Sequence, residues 1–194
     1  MSDEIEVIEE FDFGIDVQEI MNEVVNGIDI EKRIVKDTHC FLEKLSALDS
    51  VFLHISMECE EDEVNKFLED VIESFANLSL KLREFEKVED HLILEEEAAL
   101  SQGKRYVAKH KEGIARDLEA EKKVEGELLF LIQRYLKKIK ELFLKEKELF
   151  KHLDGKIGEI NSEDEEIKDV LQRLYGFVVT YEKIVQKAIS MRKV

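Results

Sequence analysis

The chain has 194 residues, of which 44% are hydrophobic and 39% are charged, and its formal net charge is −17 at pH 7. This length fits one domain, and the negative charge disfavours binding to nucleic acid or to anionic membranes. Since no run of about 18 apolar residues occurs and no basic-then-apolar leader opens the chain, we expect a cytoplasmic protein without a membrane span.

Proline is absent from the whole sequence, although average usage would give roughly ten in a chain of this length. Proline is excluded most strongly from helix interiors, where it removes a hydrogen-bond donor and clashes with the preceding turn. Apolar residues also recur at alternating steps of three and four. Together these features predict an all-α protein with long, coiled-coil-like helices.

Residues 1–31 contain eleven acidic side chains and no Lys or Arg. Asp16 has the position of a helix N-cap, and Gly27 is typical of the residue that ends a helix. We therefore expect an acidic N-terminal arm with a short helix, residues 1–28, followed by a helical bundle, residues 29–194.

The N-terminal arm also carries large apolar residues among its acids, namely Phe11, Phe13 and Ile15. Such a segment suits docking into a basic, apolar groove on a protein partner. It also suits folding back onto the third helix of its own chain, which is net basic, or remaining a disordered tail. The sequence leaves these three alternatives open.

Four long helices follow from the apolar stripes in chain order. The first is expected to start after Asp29, the second at a cap formed by Asp62, and the third after a turn at residues 101–103. The third ends near Gly155, and Ser162 opens the fourth with a capping box. The residues expected to line one core are Leu45, Leu48, Phe52, Phe75, Leu78, Leu82, Leu128, Ile132, Ile139, Leu174, Phe177 and Tyr181.

The apolar pattern weakens on both sides of the second turn. Glu89 interrupts the stripe of the second helix, and the early part of the third helix has few apolar residues. The first and fourth helices are also too short to cover this region. The sequence therefore predicts an antiparallel four-helix bundle with a projecting helix 2–3 hairpin at about residues 89–118. Pairing about Gln102 would place Glu95 near Lys109.

The apolar residues of this hairpin, among them Tyr106 and Val107, exceed what two helices can bury on each other. Exposed apolar patches usually mark an interface, and symmetric homodimers are the commonest assemblies. A second copy of the chain is thus the simplest partner for this apolar surface. The alternative is that the N-terminal arm of the same chain covers it.

Carboxylate-based di-iron bundles place Glu-x-x-His motifs on facing helices. None of the five histidines has a Glu three residues before it, so a di-iron site of this type is not expected. The five are His39, His54, His91, His110 and His152.

The acidic runs of the sequence have structural explanations. The runs at 60–63 and 163–166 stand at helix starts, where the helix dipole favours carboxylates. The run at 95–97 is expected to pair with the third helix.

We predict no catalytic residue, no cofactor and no metal ligand from these patterns. The sequence favours a non-catalytic helical bundle that mediates protein–protein interaction, either with a protein partner or as a homodimer. The alternative function is a carboxylate-based metal- or ligand-binding bundle, with or without an enzymatic activity.

Overall fold

The computed structural model describes residues 16–153 and 159–191. Of the described residues 96% are helical, and they form four helices and no strand. The helices are α1 (Val17–Glu58), α2 (Asp62–Ser101), α3 (Lys104–Leu153) and α4 (Glu159–Met191). The prediction of an all-α chain with four long helices is confirmed. Most of the predicted N-terminal arm, residues 1–15, lies outside the described residues.

The helices pack as an antiparallel four-helix bundle. α1 contacts α2 and α4, α3 contacts the same two helices, and α1 also contacts α3 across the bundle. Among the described residues, no helix has an apolar stretch long enough to cross a lipid bilayer.

A large apolar cluster fills the end of the bundle that contains the α1–α2 connection. It is formed by residues between 30 and 59, 64 and 85, 128 and 153, and 167 and 188. Phe52 and Phe75 meet edge to face with ring centroids 5.4 Å apart, and Phe41 stacks on Tyr181 at 4.8 Å. The predicted core residues are all buried here except Phe177, which is half-buried. The ammonium of Lys44 lies 5.1 Å above that ring, so a charged side chain covers its outer face.

The N-terminal part of α1 differs from the sequence prediction. The carboxylate of Asp16 accepts a hydrogen bond of 2.8 Å from the backbone N–H of Gln18, which confirms the predicted cap. The predicted stop at Gly27 is wrong, because α1 continues to Glu58 and buries Gly27. A glycine inside a helix costs only about 1 kcal/mol, less than the burial of the apolar side chains that precede it contributes.

Those apolar side chains cover the α2–α3 hairpin. They form a second apolar cluster with the hairpin, composed of Ile20, Val24, Ile28, Ile93, Val107 and Leu118. The end of α4 lies near the middle of α1, where Met191 Sδ is 3.9 Å from a guanidinium nitrogen of Arg33. The hairpin therefore extends past α4, and α1 supplies the third helix that packs against it.

The hairpin turn lies where the sequence predicted it, because α2 ends at Ser101 and α3 begins at Lys104. Gly103 has a positive φ of 82°, and α3 has a kink at His110, where φ is −112° and ψ is 15°. The His110 ring stacks on that of Tyr106 at 4.1 Å between centroids. Beyond the kink, side chains from residues 114–121 of α3 line one cavity with side chains from residues 92–99 of α2.

The expected contact of Glu95 with Lys109 across the hairpin does not form. Glu95 lies 3.2 Å from His91 on its own helix, and the neighbouring Glu97 pairs with Lys32 of α1.

Replacing either of two buried core residues should destabilise the bundle. Leu78 and Ile132 are 3% and 1% exposed, so Leu78→Ala and Ile132→Ala should each lower the free energy of unfolding by about 2–5 kcal/mol through lost burial and a residual cavity. Urea denaturation measures this change. Leu80→Ala is the control, because Leu80 is 57% exposed. Equal effects of Leu78→Ala and Leu80→Ala would contradict the packing.

Candidate metal centre

Five glutamates are buried at the boundary between the two apolar clusters, with at most 6% of each residue exposed. Glutamate is almost never fully buried unless it is paired, and each of these five has an interaction partner in the structure. In α3, for example, the second cluster ends at Leu118 and the main cluster begins at Leu128. The five residues are Glu31, Glu89, Glu96, Glu121 and Glu125.

Helix geometry directs these side chains inward. In α2, Glu89 stands four residues after the buried Phe85, and Glu96 follows seven residues later, two turns along the same face. In α3, Glu121 and Glu125 continue from Leu118 at steps of three and four. The apparent interruption of the stripe at Glu89 is therefore a core position occupied by an acid.

Three of the glutamates come together from three helices. Glu31 of α1, Glu96 of α2 and Glu121 of α3 each offer a carboxylate oxygen, and these oxygens all lie within 4.8 Å of one another. The oxygens around one Ca²⁺ ion, at bonds of about 2.4 Å, lie at most about 4.8 Å apart. The oxygen separations of the trio are within this limit.

Glu89 and Glu125 lie on the side of this trio that faces the main core. Glu125 follows Glu121 by about one turn and Glu89 precedes Glu96 by about two turns, on helices that run in opposite directions. Both are buried, with exposures of 0% and 1%. The carboxylates thus extend along the bundle axis beyond the trio.

A tyrosine–threonine pair lies in the main core beside these acids. The Thr38 hydroxyl donates to the Ile34 carbonyl oxygen at 2.7 Å, and its single proton is then used. The Tyr181 hydroxyl therefore donates to Thr38 Oγ1. Burial raises the pKa of Tyr181, and the nearby charges of Asp37, Glu86 and Glu89 raise it further.

The histidines do not contribute to this centre. All five are exposed. His39 lies 3.2 Å from Glu86, and His54 lies 3.4 Å from Glu58. The donor set at the trio therefore consists of carboxylate oxygens. The signal for this centre in the sequence is glutamate at in-register core positions of the apolar stripes, and not glutamate paired with histidine.

The predicted interaction residues fall in different places. Phe11, Phe13 and Ile15 lie outside the described residues. Tyr106 is half-buried, and Val107 is only 1% exposed because it packs within the second apolar cluster. The described part of the N-terminal segment, from Val17 onward, covers apolar residues of the hairpin that the sequence analysis assigned to an interface.

A separate buried carboxyl group joins α3 to α4 at the other end of the bundle. Glu146 is 6% exposed. Burial, followed by a hydrogen bond to Asp164 and the charge of that residue, raises the pKa of Glu146 to about 8. Beside it, the Cys59 thiol donates to a carboxylate oxygen of Glu163 at 3.2 Å. The start of α4 is thereby attached to α3 and to the α1–α2 connection.

No protein-family model matches this chain, and no curated protein matches it either. Any function for the buried carboxylates must therefore be argued from their own geometry and chemistry.

Stability should fall as the pH rises because of Glu146. The pKa of this carboxyl is raised from 4.5 to about 8, so between these values the folded state keeps a proton that the unfolded state has released. The free energy of unfolding should decrease with pH across that window. Urea denaturation from about pH 5 to about pH 9 measures this slope.

Glu146→Gln should flatten that dependence, because the amide cannot titrate. Glu148→Gln, at an exposed position of the same helix, is the matched control and should retain the wild-type slope. If the wild type and Glu146→Gln share one pH profile, Glu146 does not hold the proton.

Proposed function

We propose that this protein is a carboxylate-based metal-binding helical bundle in which Glu31, Glu96 and Glu121 hold a hard divalent cation. The observation that carries the proposal is the convergence of three carboxylate oxygens, from three helices, within 4.8 Å inside the core. Each of these residues is at most 6% exposed, which distinguishes the trio from the acidic clusters common on protein surfaces.

Electrostatics support a cation at this position. Two ionised carboxylates whose oxygens lie at most 4.8 Å apart repel each other by at least about 3–4 kcal/mol at an effective dielectric constant of about 20. A divalent cation replaces this repulsion with three attractive contacts and matches the donor atoms. The competing arrangement is a set of carboxyl groups that share protons, and it predicts no dependence of stability on metal.

The donor set favours particular ions. Zinc and copper are suited by imidazole or thiolate ligands, whereas carboxylate oxygens suit magnesium, calcium and manganese. Oxygen separations of at most 4.8 Å are compatible with the bonds of about 2.0–2.6 Å that these hard cations form with oxygen. We therefore expect Mn²⁺ and Ca²⁺ to bind.

A cation held by this trio would tie three helices together. Glu31 lies in α1, next to the residues that cover the hairpin, and Glu96 and Glu121 lie in the two helices of the hairpin. The bound ion would fasten α1 to the α2–α3 hairpin. Metal binding is then coupled to the stability of the fold.

Association with a protein partner or with a second copy stays a prediction from the sequence. The protein-partner hypothesis depends on residues 1–15, whose acids and aromatic residues suit a basic, apolar surface. The homodimer hypothesis depends on apolar residues of the hairpin, among them Tyr106 and Val107. A metal centre and binding to a protein partner can coexist in one chain, because the trio lies between the helices and not on the outer surface of the bundle.

Mn²⁺ should bind to the metal-free protein with a stoichiometry of about one and stabilise it. At a free concentration about 100 times the Kd, the melting temperature should rise by about 5–10 °C. Calorimetric titration measures binding, and a chelator should reverse the shift.

Glu121→Gln should abolish this binding while keeping the size of the side chain. Glu119→Gln makes the same change two residues away at an exposed position and should bind Mn²⁺ like the wild type. If neither Mn²⁺ nor Ca²⁺ binds to or stabilises the wild-type protein, the carboxyl groups share protons and the proposed function is wrong.

A further inference from the structure

A small cavity lies between α2 and α3 directly beside the carboxylate trio. Its volume is about 40 Å³. The buried Glu96 and Glu121 line it on the inside, and the exposed Glu95 and Asp117 line it as well. One cavity therefore connects two proposed metal ligands with two carboxylates that are in contact with solvent.

The cavity is large enough to hold water. One water molecule needs about 10–15 Å³ of such space, so two or three fit between Glu95, Asp117 and the trio. This space is an observation independent of the acidic cluster, since buried glutamates could equally be packed without a gap. Val24, Leu92, Ala99 and Ile114 supply the apolar part of the cavity wall. A cation that enters a core must lose its hydration shell gradually, and the four carboxylates among these apolar side chains can replace its water molecules one by one.

Both helices of the hairpin contribute to the cavity wall. Asp117 and Glu121, which follow the kink of α3 at His110, line the cavity together with Glu96 of α2. The cavity wall also includes Ala99, whose small side chain leaves space between the two helices.

The other two grooves that lead to the trio, between α1 and α2 and between α1 and α3, each contain a lysine next to one of the proposed metal-binding glutamates. At the α1–α2 seam, Lys32 follows Glu31 and pairs with Glu97. The groove between α1 and α3 has several acidic residues on the α1 side, but it also contains Lys122, which follows Glu121. The residues that line the α2–α3 cavity include four carboxylates and no basic side chain, so among the described seams it repels a cation least.

From these observations we infer that a divalent cation reaches the trio through the α2–α3 gap, with Glu95 and Asp117 as transient ligands that transfer it to Glu96 and Glu121. This inference rests on the proposed function. The two exposed carboxylates lower the barrier to entry and to exit, and they do not hold the ion in its final position.

The test compares the rates of Mn²⁺ binding in two double variants of the full chain. Glu95→Gln combined with Asp117→Asn removes the two exposed carboxylates of the cavity. Glu84→Gln combined with Glu119→Gln is the matched control, because it removes one exposed carboxylate from α2 and one from α3. Rapid mixing followed by the paramagnetic resonance signal of free Mn²⁺ gives the rate of uptake, and mixing with excess chelator gives the rate of release.

We expect the cavity variant to take up and release Mn²⁺ at least about tenfold more slowly, with a Kd close to that of the wild type. The control variant should match the wild type in both rates. Circular dichroism verifies that each variant is folded.

The other possible results distinguish an error in the entry route from an error in the proposed metal centre. If the cavity variant binds at the wild-type rate, or if the control slows equally, the entry route is wrong while the metal centre stands. If the cavity variant loses affinity without a change in the uptake rate, Glu95 and Asp117 are final ligands and not a route. If the wild type binds no Mn²⁺, the proposed function itself fails.

Discussion

Five glutamates at inward-facing positions constrain the rest of this structure. A helix cannot rotate single side chains out of its apolar stripe, so Glu31, Glu96 and Glu121 must lie between helices as soon as those helices pack. Burial of a carboxylate is costly unless protons or cations compensate it. The chain gathers these acids into one layer and places apolar clusters on both sides of it. The free-energy cost of burying carboxylates is thereby confined to the region between the two apolar clusters.

The layer also depends on the length of α1. Glu31 can approach the acids of the hairpin only because α1 extends past α4, and Ile20, Val24 and Ile28 bury the surrounding hairpin surface. If α1 ended where Gly27 suggested, Glu96 and Glu121 would face solvent and the acids would have no enclosed site. Fold and site therefore share one requirement, which is a continuous first helix.

The overall architecture could be predicted from the sequence because it depends on local and periodic signals. The lack of proline, the Asp16 cap and the stripes containing Phe52, Leu78 and Ile132 all act within one helix, and they correctly predicted four long helices with a common core. The expectation that the first helix is too short to cover the hairpin was wrong, because α1 begins at Val17 and packs against it.

The cluster of buried glutamates could not be predicted in the same way, because it forms only when residues far apart in the sequence come together. Glu89 resembles a break in a stripe until α3 is seen to bring Glu121 and Glu125 to the same layer. Gly27 resembles a helix stop because its propensity is local, whereas the burial that overrides it comes from α2 and α3. The expected contact of Glu95 with Lys109 did not form, because Glu95 contacts His91 on its own helix.

The most direct test of the central claim is an anomalous-diffraction map of crystals soaked in Mn²⁺. The account predicts one strong peak within about 2.0–2.6 Å of carboxylate oxygens from Glu31, Glu96 and Glu121, and loss of that peak in crystals of Glu121→Gln. A map without a peak there, in which those oxygens lie about 2.5–2.7 Å apart as proton-sharing pairs, would contradict the claim.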